Sequence, residues 1–487
     1  MKAAWILVLI ILWYISRNPK FVMRCPSSGI LYMETRIGRS SPSRPPIHKL
    51  HINSIGIMKI FLDTIGCRLN QAEIESLARH FRAAGHVIVP TAGEADLAVV
   101  NTCTVTSEAA SDSRAAIRRA NRLGAGEVVV TGCWTTLEPD KAAALAGVTH
   151  IVPNLQKENL AADLLGLPHE YFDLEPVARQ PLPGLHQRTH SFIKAQDGCN
   201  NTCTFCVTRL ARGGSQSRSM EKIARDVASS LDGGAQEIVL TGVHLGSWGL
   251  DLLPARRIPD LVSALLEQTS VPRLRLSSLE PWDLEADFFG LWQDPRLCRH
   301  LHLPLQSGST AVLKRMARKT TPASYAALLK SARGAIPEVA ITTDLIAGFP
   351  GETEQEFAET LEFVRSMEFS GGHVFSYSPR PGTPASLMKG QVPGEVAKVR
   401  SAALRSALAE SAETFHQKFI GKTMPVLWEA RSSLSSEGWH IEGLTDNFMR
   451  VTAVAPERYW NRIDQVSLKT TSPDGLWGEI QEPRQAE

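Results

Sequence analysis

Gly198-Cys199-Asn200-Asn201-Thr202-Cys203-Thr204-Phe205-Cys206 is the stretch on which the reading of this chain turns. Its three cysteines, spaced C-x3-C-x2-C, follow a run of strand character at Ser191–Ala195. Thiolates are soft ligands that share charge well with iron. Three of them on a four-iron cluster leave one iron without a protein ligand, open to a small chelating molecule. A structural zinc site instead closes with four Cys or His ligands. The local run supplies only three, with His190 and His244 the nearby candidates for a fourth.

Downstream of the motif, strands and helices alternate. Glu237–Thr241, Arg273–Ser277, His300–Pro304, Ala340–Ile346 and Gly372–Tyr377 read as strands, with helices such as Glu221–Leu231 and Glu354–Met367 between them. Thr353-x-x-Glu356 fits a capping box at the start of the latter. Six such units predict a partial parallel barrel, whose chemistry sits at the carboxyl ends of its strands. A long helix, Glu395–Phe419, closes this region. Beyond Gly421-Lys422 the pattern changes to short strands, Met424–Glu429, Gly438–Leu444 and Phe448–Val454, separated by Ser, Gly and Asn turns. This predicts a small all-β module.

Upstream, Lys59–Asp63, Leu97–Asn101 and Glu127–Thr131 read as strands, with helices at Asn70–Ala84, Ser107–Leu123 and from about Glu138. Such alternation predicts a parallel sheet with helices on both faces. Cys67, Cys103 and Cys133 each follow one of these strands. Strand ends of a parallel sheet share one edge, so three distant thiols can converge there. The alternative is three unrelated core cysteines. Pro176–Pro183 reads as a linker.

Composition excludes little. The 487 residues are 43% hydrophobic and 21% charged, with a formal net charge of +2. A nucleic-acid partner would need a local basic patch. Eight cysteines in a chain this long point to metal or redox chemistry before disulfides; Cys25 and Cys298 have no neighbours at ligand spacing. Ala3–Ile15 is apolar but shorter than the roughly 20 residues of a membrane helix, and no clear signal cleavage site follows it. Met58 opens the first clean strand, so residues 1–57 read as a non-native or disordered extension, the rival being a membrane anchor.

The C-x3-C-x2-C run, with an aromatic before its last Cys, resembles the radical S-adenosylmethionine (SAM) superfamily. The chain from Met58 to the end of the β module is similar to the methylthiotransferases, with their MiaB, MtaB and RimO branches. Gly66-Cys67-Arg68-Leu69-Asn70, Asn101-Thr102-Cys103 and Thr131-Gly132-Cys133 match the contexts that hold an auxiliary cluster in that family, and Ser378–Ala385 matches its SPRPGTPA loop. The resemblance implies a methylthiotransferase domain over 58–175, a radical SAM barrel over 185–417 and a TRAM-like RNA-binding barrel over 418–485. It implies two 4Fe–4S clusters, a catalytic one on Cys199, Cys203 and Cys206 and an auxiliary one on Cys67, Cys103 and Cys133. Thr241, Gly242, Glu280, Gln306 and Arg212 are then expected to contact SAM, and Asp344, Arg380, Phe448 and Arg450 the substrate or RNA. The run after Cys67 resembles the MtaB branch, which methylthiolates C2 of N6-threonylcarbamoyladenosine at position 37 of tRNA. MiaB enzymes act on the isopentenylated base there, and RimO enzymes on an aspartate of a ribosomal protein. A cytoplasmic enzyme follows, partnered by a tRNA anticodon stem-loop and an electron donor such as flavodoxin or ferredoxin. A non-catalytic iron–sulfur electron carrier is the reading from another class.

Overall fold

The computed structural model describes residues 56–173 and 189–481. The apolar run Ala3–Ile15, nearly all of the proposed extension and the Pro176–Pro183 linker lie outside them. Among the described residues, no helix is long and apolar enough to cross a membrane.

Five parallel strands open the fold: β1 (Lys59–Thr64), β2 (Val87–Ile88), β3 (Leu97–Thr102), β4 (Glu127–Gly132) and β5 (Val148–Val152), in the order β2-β1-β3-β4-β5. The central β3, LAVVNT, is buried at every position, as a strand covered on both faces must be. Its alternation divides two cores. Leu97 and Val99 pack with Ile60, Val129, Leu77 and Phe81 on one face. Ala98 and Val100 pack with Val128, Val130, Ile117 and Trp134 on the other. Helix Arg68–Ala83 covers the first face and Ser107–Arg122 the second.

Six parallel strands follow, as expected. β6 (His190–Lys194), β9 (Glu237–Thr241) and β10 (Arg273–Leu276) form one sheet. β11 (His300–His302), β12 (Ala340–Ala347) and β13 (Gly371–Ser376) form a second. A bond from Leu279 N to His302 O (3.0 Å) bridges the two. Between β6 and β9, a short antiparallel pair, β7 (Gln196–Asp197) and β8 (Gln216–Ser217), brackets the cysteine loop. The capping box at Thr353 is present, with Thr353 Oγ1 accepting from Glu356 N at 3.2 Å. Helix Gly394–Gln417 leads into a closed barrel, in the order β14-β15-β16-β18-β17, of β14 (Thr423–Ser435), β15 (Gly438–Thr445), β16 (Arg450–Ala455), β17 (Ile463–Ser472) and β18 (Gly475–Ile480). It is consistent with a TRAM-like module. Phe448 falls outside the strand expected for it: its φ of +67° makes it the turn between β15 and β16.

Candidate active site

The loop after β7 carries Cys199, Cys203 and Cys206. Gly198 begins it at φ +65°, where a Cβ would stand 1.9 Å from Gly214 O, so only glycine lets the loop cross that turn. Cys199 N bonds Gly213 O at 3.1 Å, and Asn201 N reaches back to Cys199 Sγ at 3.4 Å. Gln196 braces the base of the loop, donating to Gly198 O and accepting from His244 N. Arg318 approaches Cys203 Sγ at 3.9 Å while its guanidinium forks onto Glu280 at 2.7 and 3.1 Å and lies over Trp282. Burial pushes the Cys203 and Cys206 thiols up. Iron must therefore displace their protons as it binds.

The second triad is assembled by topology. Thr64 pairs with Asn101, and Thr102 with Gly132, so the strands end level and the three cysteines follow together. Cys67 caps helix Arg68–Ala83 and Cys133 opens helix Cys133–Leu137. Positive helix ends favour thiolates. Asn70 ties the loops, donating to Ile65 O (2.7 Å) and Thr102 O (3.1 Å). Asn154 donates to Cys133 Sγ at 3.5 Å and to Ala211 O at 2.9 Å, linking this triad to the first loop's helix. Cys103 and Cys133 are buried while Cys67 is open to solvent. Burial pushes Cys103 to about 11. Even so, the surrounding protein raises the Cys67 thiol, and Arg212 opposes that.

Both triads fit a cluster better than a single ion. In neither do three sulfurs lie within 4.8 Å of one another; only His302, Asp344 and His373 meet that spacing among the described residues. Tetrahedral zinc with its 2.3 Å Zn–S bonds holds sulfurs about 3.8 Å apart. His190 is no fourth ligand: it lies at the far end of β6, against Glu237 and Glu429, each at 3.0 Å. His244 is held through Nε2 by Asp283 and hydrogen-bonds the Cys199 thiol, so it stands beside the triad as a hydrogen-bonding neighbour. Three thiols with N–H groups directed at sulfur, and space beside Cys67, suit 4Fe–4S clusters with an open position.

Of the remaining expected residues, Thr241 ends β9 and Gly242 directly follows it. Gly242 lies outside the left-handed region; it is needed because a Cβ would stand 2.9 Å from Gln196 Oε1. Gln306 holds φ +75°, rare for a non-glycine residue and a mark of constrained sites. Asp344 accepts from His302 and His373, both at 3.3 Å; burial raises its carboxyl, and these bonds more than reverse the effect. Arg380, nearly buried, bonds Ser378 and lies within electrostatic reach of Cys103, on the auxiliary side.

Three placements differ from expectation. Arg212 meets no open pocket: buried, it pairs with Glu73 (2.8 Å), Asp197 (2.9 Å) and Asn70 (2.6 Å), joining the two domains. Burial would raise Glu73, but Arg212, Lys157 and Lys194 hold it well below the usual range. Phe448 does not offer its ring to RNA; it stacks on His300 at 4.3 Å and binds the β module to the barrel. Arg450 is paired with Glu429 and Glu442 inside the module. Sequence reasoning missed Asn154 and Arg318, which follow no motif, and Asn70, whose place three residues after Cys67 was the available signal.

The fold and thiol sets define a radical SAM protein. A Radical SAM superfamily model matches residues 193–364, and one described as Uncharacterized protein family UPF0004 matches 59–153. In fold the chain is similar to the radical S-adenosylmethionine methyltransferase TsrM from Kitasatospora setae (TM-score 0.53, 14% identity, 68% of this chain and 77% of that one). In sequence it is 37% identical to the threonylcarbamoyladenosine tRNA methylthiotransferase MtaB of Thermotoga maritima, over 85% of this chain and 95% of the relative. To MtaB of Bacillus subtilis it is 35% identical (83% and 92%). To the tRNA-2-methylthio-N(6)-dimethylallyladenosine synthase of Endomicrobium trichonymphae it is 30% identical (87% and 100%). The chain belongs to the radical SAM methylthiotransferase family, whose cofactors are SAM and 4Fe–4S clusters.

Proposed function

We propose that this enzyme methylthiolates C2 of N6-threonylcarbamoyladenosine at position 37 of tRNA. The observation that carries this reading is the match over most of the chain to enzymes of that name, reaching 37% identity against 30% for the dimethylallyladenosine synthase. Residues 58–175 serve as the auxiliary-cluster domain, 185–417 as the radical SAM barrel and 418–485 as an RNA-binding module. Cys199, Cys203 and Cys206 would hold the cluster that supplies the electron for SAM cleavage; Cys67, Cys103 and Cys133 would hold the auxiliary cluster. Around them the chain's own residues position and exclude. Arg318 and Glu280 fix one wall beside Cys203, Gln306 and Thr241 present polar groups at strand ends, and the Arg380 loop closes over the auxiliary side. A flavodoxin or ferredoxin supplies electrons, and the enzyme works in the cytoplasm.

Nucleoside mass spectrometry of tRNA from cells with and without the gene tests this. Loss of the methylthio group from threonylcarbamoyladenosine alone is expected. Loss from the isopentenylated nucleoside instead would transfer the enzyme to that substrate, and no change in tRNA would favour a ribosomal protein. A purified protein that makes no 5′-deoxyadenosine would be an electron carrier.

A further inference from the structure

Arg68 directly follows Cys67, and its side chain is the N-terminal domain's reach toward the barrel. Its guanidinium carbon lies 5.7 Å from the Phe448 ring centroid, on the ring that stacks against His300 of β11. Arg275, over the same ring at 5.1 Å, works against its charge, and Glu237 and Asp344 favour it from the barrel. Three separate parts of the chain thus meet around this side chain, one residue from Cys67.

What distinguishes Arg68 is the absence of a paired carboxylate. Arg212, Arg275, Arg318 and Arg400 each hold a carboxylate, on Glu73, Glu237, Glu280 and Glu352. Half-buried Arg68 makes no ion pair or hydrogen bond among the described residues. A half-buried guanidinium with no paired carboxylate keeps its planar fork free to take one. Its positive charge also opposes use of the neighbouring His302–Asp344–His373 group as a cation site. The geometry favours an incoming anion instead.

We propose that Arg68 receives the carboxylate of the substrate's threonyl group and so selects an acidic N6 substituent over a neutral hydrocarbon one. This rests on the threonylcarbamoyladenosine reading above. The chemistry is consistent in place: C6, which carries N6, and C2 flank N1 of the purine, so a residue adjacent to an auxiliary-cluster ligand can reach a substituent carried on the same edge as C2.

The test uses reconstituted holoenzyme and anticodon stem-loops carrying threonylcarbamoyladenosine, its threonyl methyl ester, or isopentenyladenosine. Equilibrium binding and kcat/KM are read for each. Wild type should favour acid over ester by about 10- to 100-fold, the worth of charge-assisted hydrogen bonds. R68Q should bring that ratio close to unity by weakening the acid alone, with iron content unchanged. R68K, a point charge without the fork, should restore part of it, and carries the test if R68Q loses iron. An R68Q enzyme that keeps the ratio overturns the proposal. So does equal weakening of acid and ester, which would mark a backbone phosphate contact. Wild type that turns over only the isopentenyl stem-loop would remove the substrate reading itself, before any variant is compared.

Discussion

The two cysteine triads reach similar chemistry by opposite routes. Cys199, Cys203 and Cys206 belong to one loop, fixed by local hydrogen bonds and one glycine crossing. Cys67, Cys103 and Cys133 come from three strand ends and meet only when a parallel sheet has formed, and a buried ion network fastens that sheet to the barrel. A ligand set written in one loop is robust to tertiary damage. A set written in topology inherits every weakness of the packing that assembles it.

The largest expected effect separates the two by chemistry. Cys203→Ser should abolish 5′-deoxyadenosine formation. Cys103→Ser should leave SAM cleavage and abolish methylthio product. Each should lower iron by about half, from about eight atoms for two 4Fe–4S clusters, as iron analysis and product mass spectrometry would show. Equal loss of 5′-deoxyadenosine in both variants would mean that the triads do not act independently.

Glu73→Gln attacks the docking. Glu73 is buried and answers both Arg212 at 2.8 Å and Lys157 at 2.7 Å. Removing its charge leaves buried Lys157 without a carboxylate and Arg212 with Asp197 alone, a loss of about 3–5 kcal/mol. Urea unfolding should show that loss, and auxiliary iron should fall while the loop cluster stays loaded. Gly66→Ala strains the same triad from within, because a Cβ there would stand 2.5 Å from Cys103 Sγ at a φ of +103°. It should lower auxiliary iron and methylthio product with SAM cleavage retained. If the loop cluster is lost first in either variant, the contrast between local and topological assembly fails.

The same contrast explains what was legible beforehand. The loop triad stood out by spacing alone. The distant triad could be read because each cysteine followed a recognisable buried strand, so strand order did the work that spacing could not. The six barrel strands were found within a residue or two, since alternation of buried runs and amphipathic helices survives in the linear sequence. Side-chain partnership did not. Arg212 sits in a motif that suggested a ligand contact, yet its partner Glu73 lies 139 residues away. Phe448 reads as the start of a strand, while in the fold it is a turn residue at φ +67° whose ring stacks on His300, on another domain. Arg318 and Asn154 carry no local pattern because their targets, Cys203 and Cys133, are supplied entirely by tertiary folding.

The smallest effects lie at the far end of the barrel, away from both triads, where Glu429 of the β module is shared by His190 and Arg450. Burial disfavours a charged His190, but Glu237 and Glu429 more than reverse this and raise it to about 9 from an ordinary 6.5. A histidine raised in the fold contributes stability that is complete below about pH 6.5 and lost as pH climbs through about 9. The swing is on the order of 3 kcal/mol. Urea midpoints should therefore fall between pH 6.5 and 9.5, and His190→Gln should flatten that slope without changing iron in either triad. Arg450→Ala should cost at most about 1 kcal/mol, because its pairs with Glu429 and Glu442 are partly solvated. It should keep the slope, since Glu429 still faces His190. A lost slope in the Arg450 variant would mean that the arginine, not the histidine, fastens the module, and that this joint is as dependent on one buried charge as the joint at Glu73.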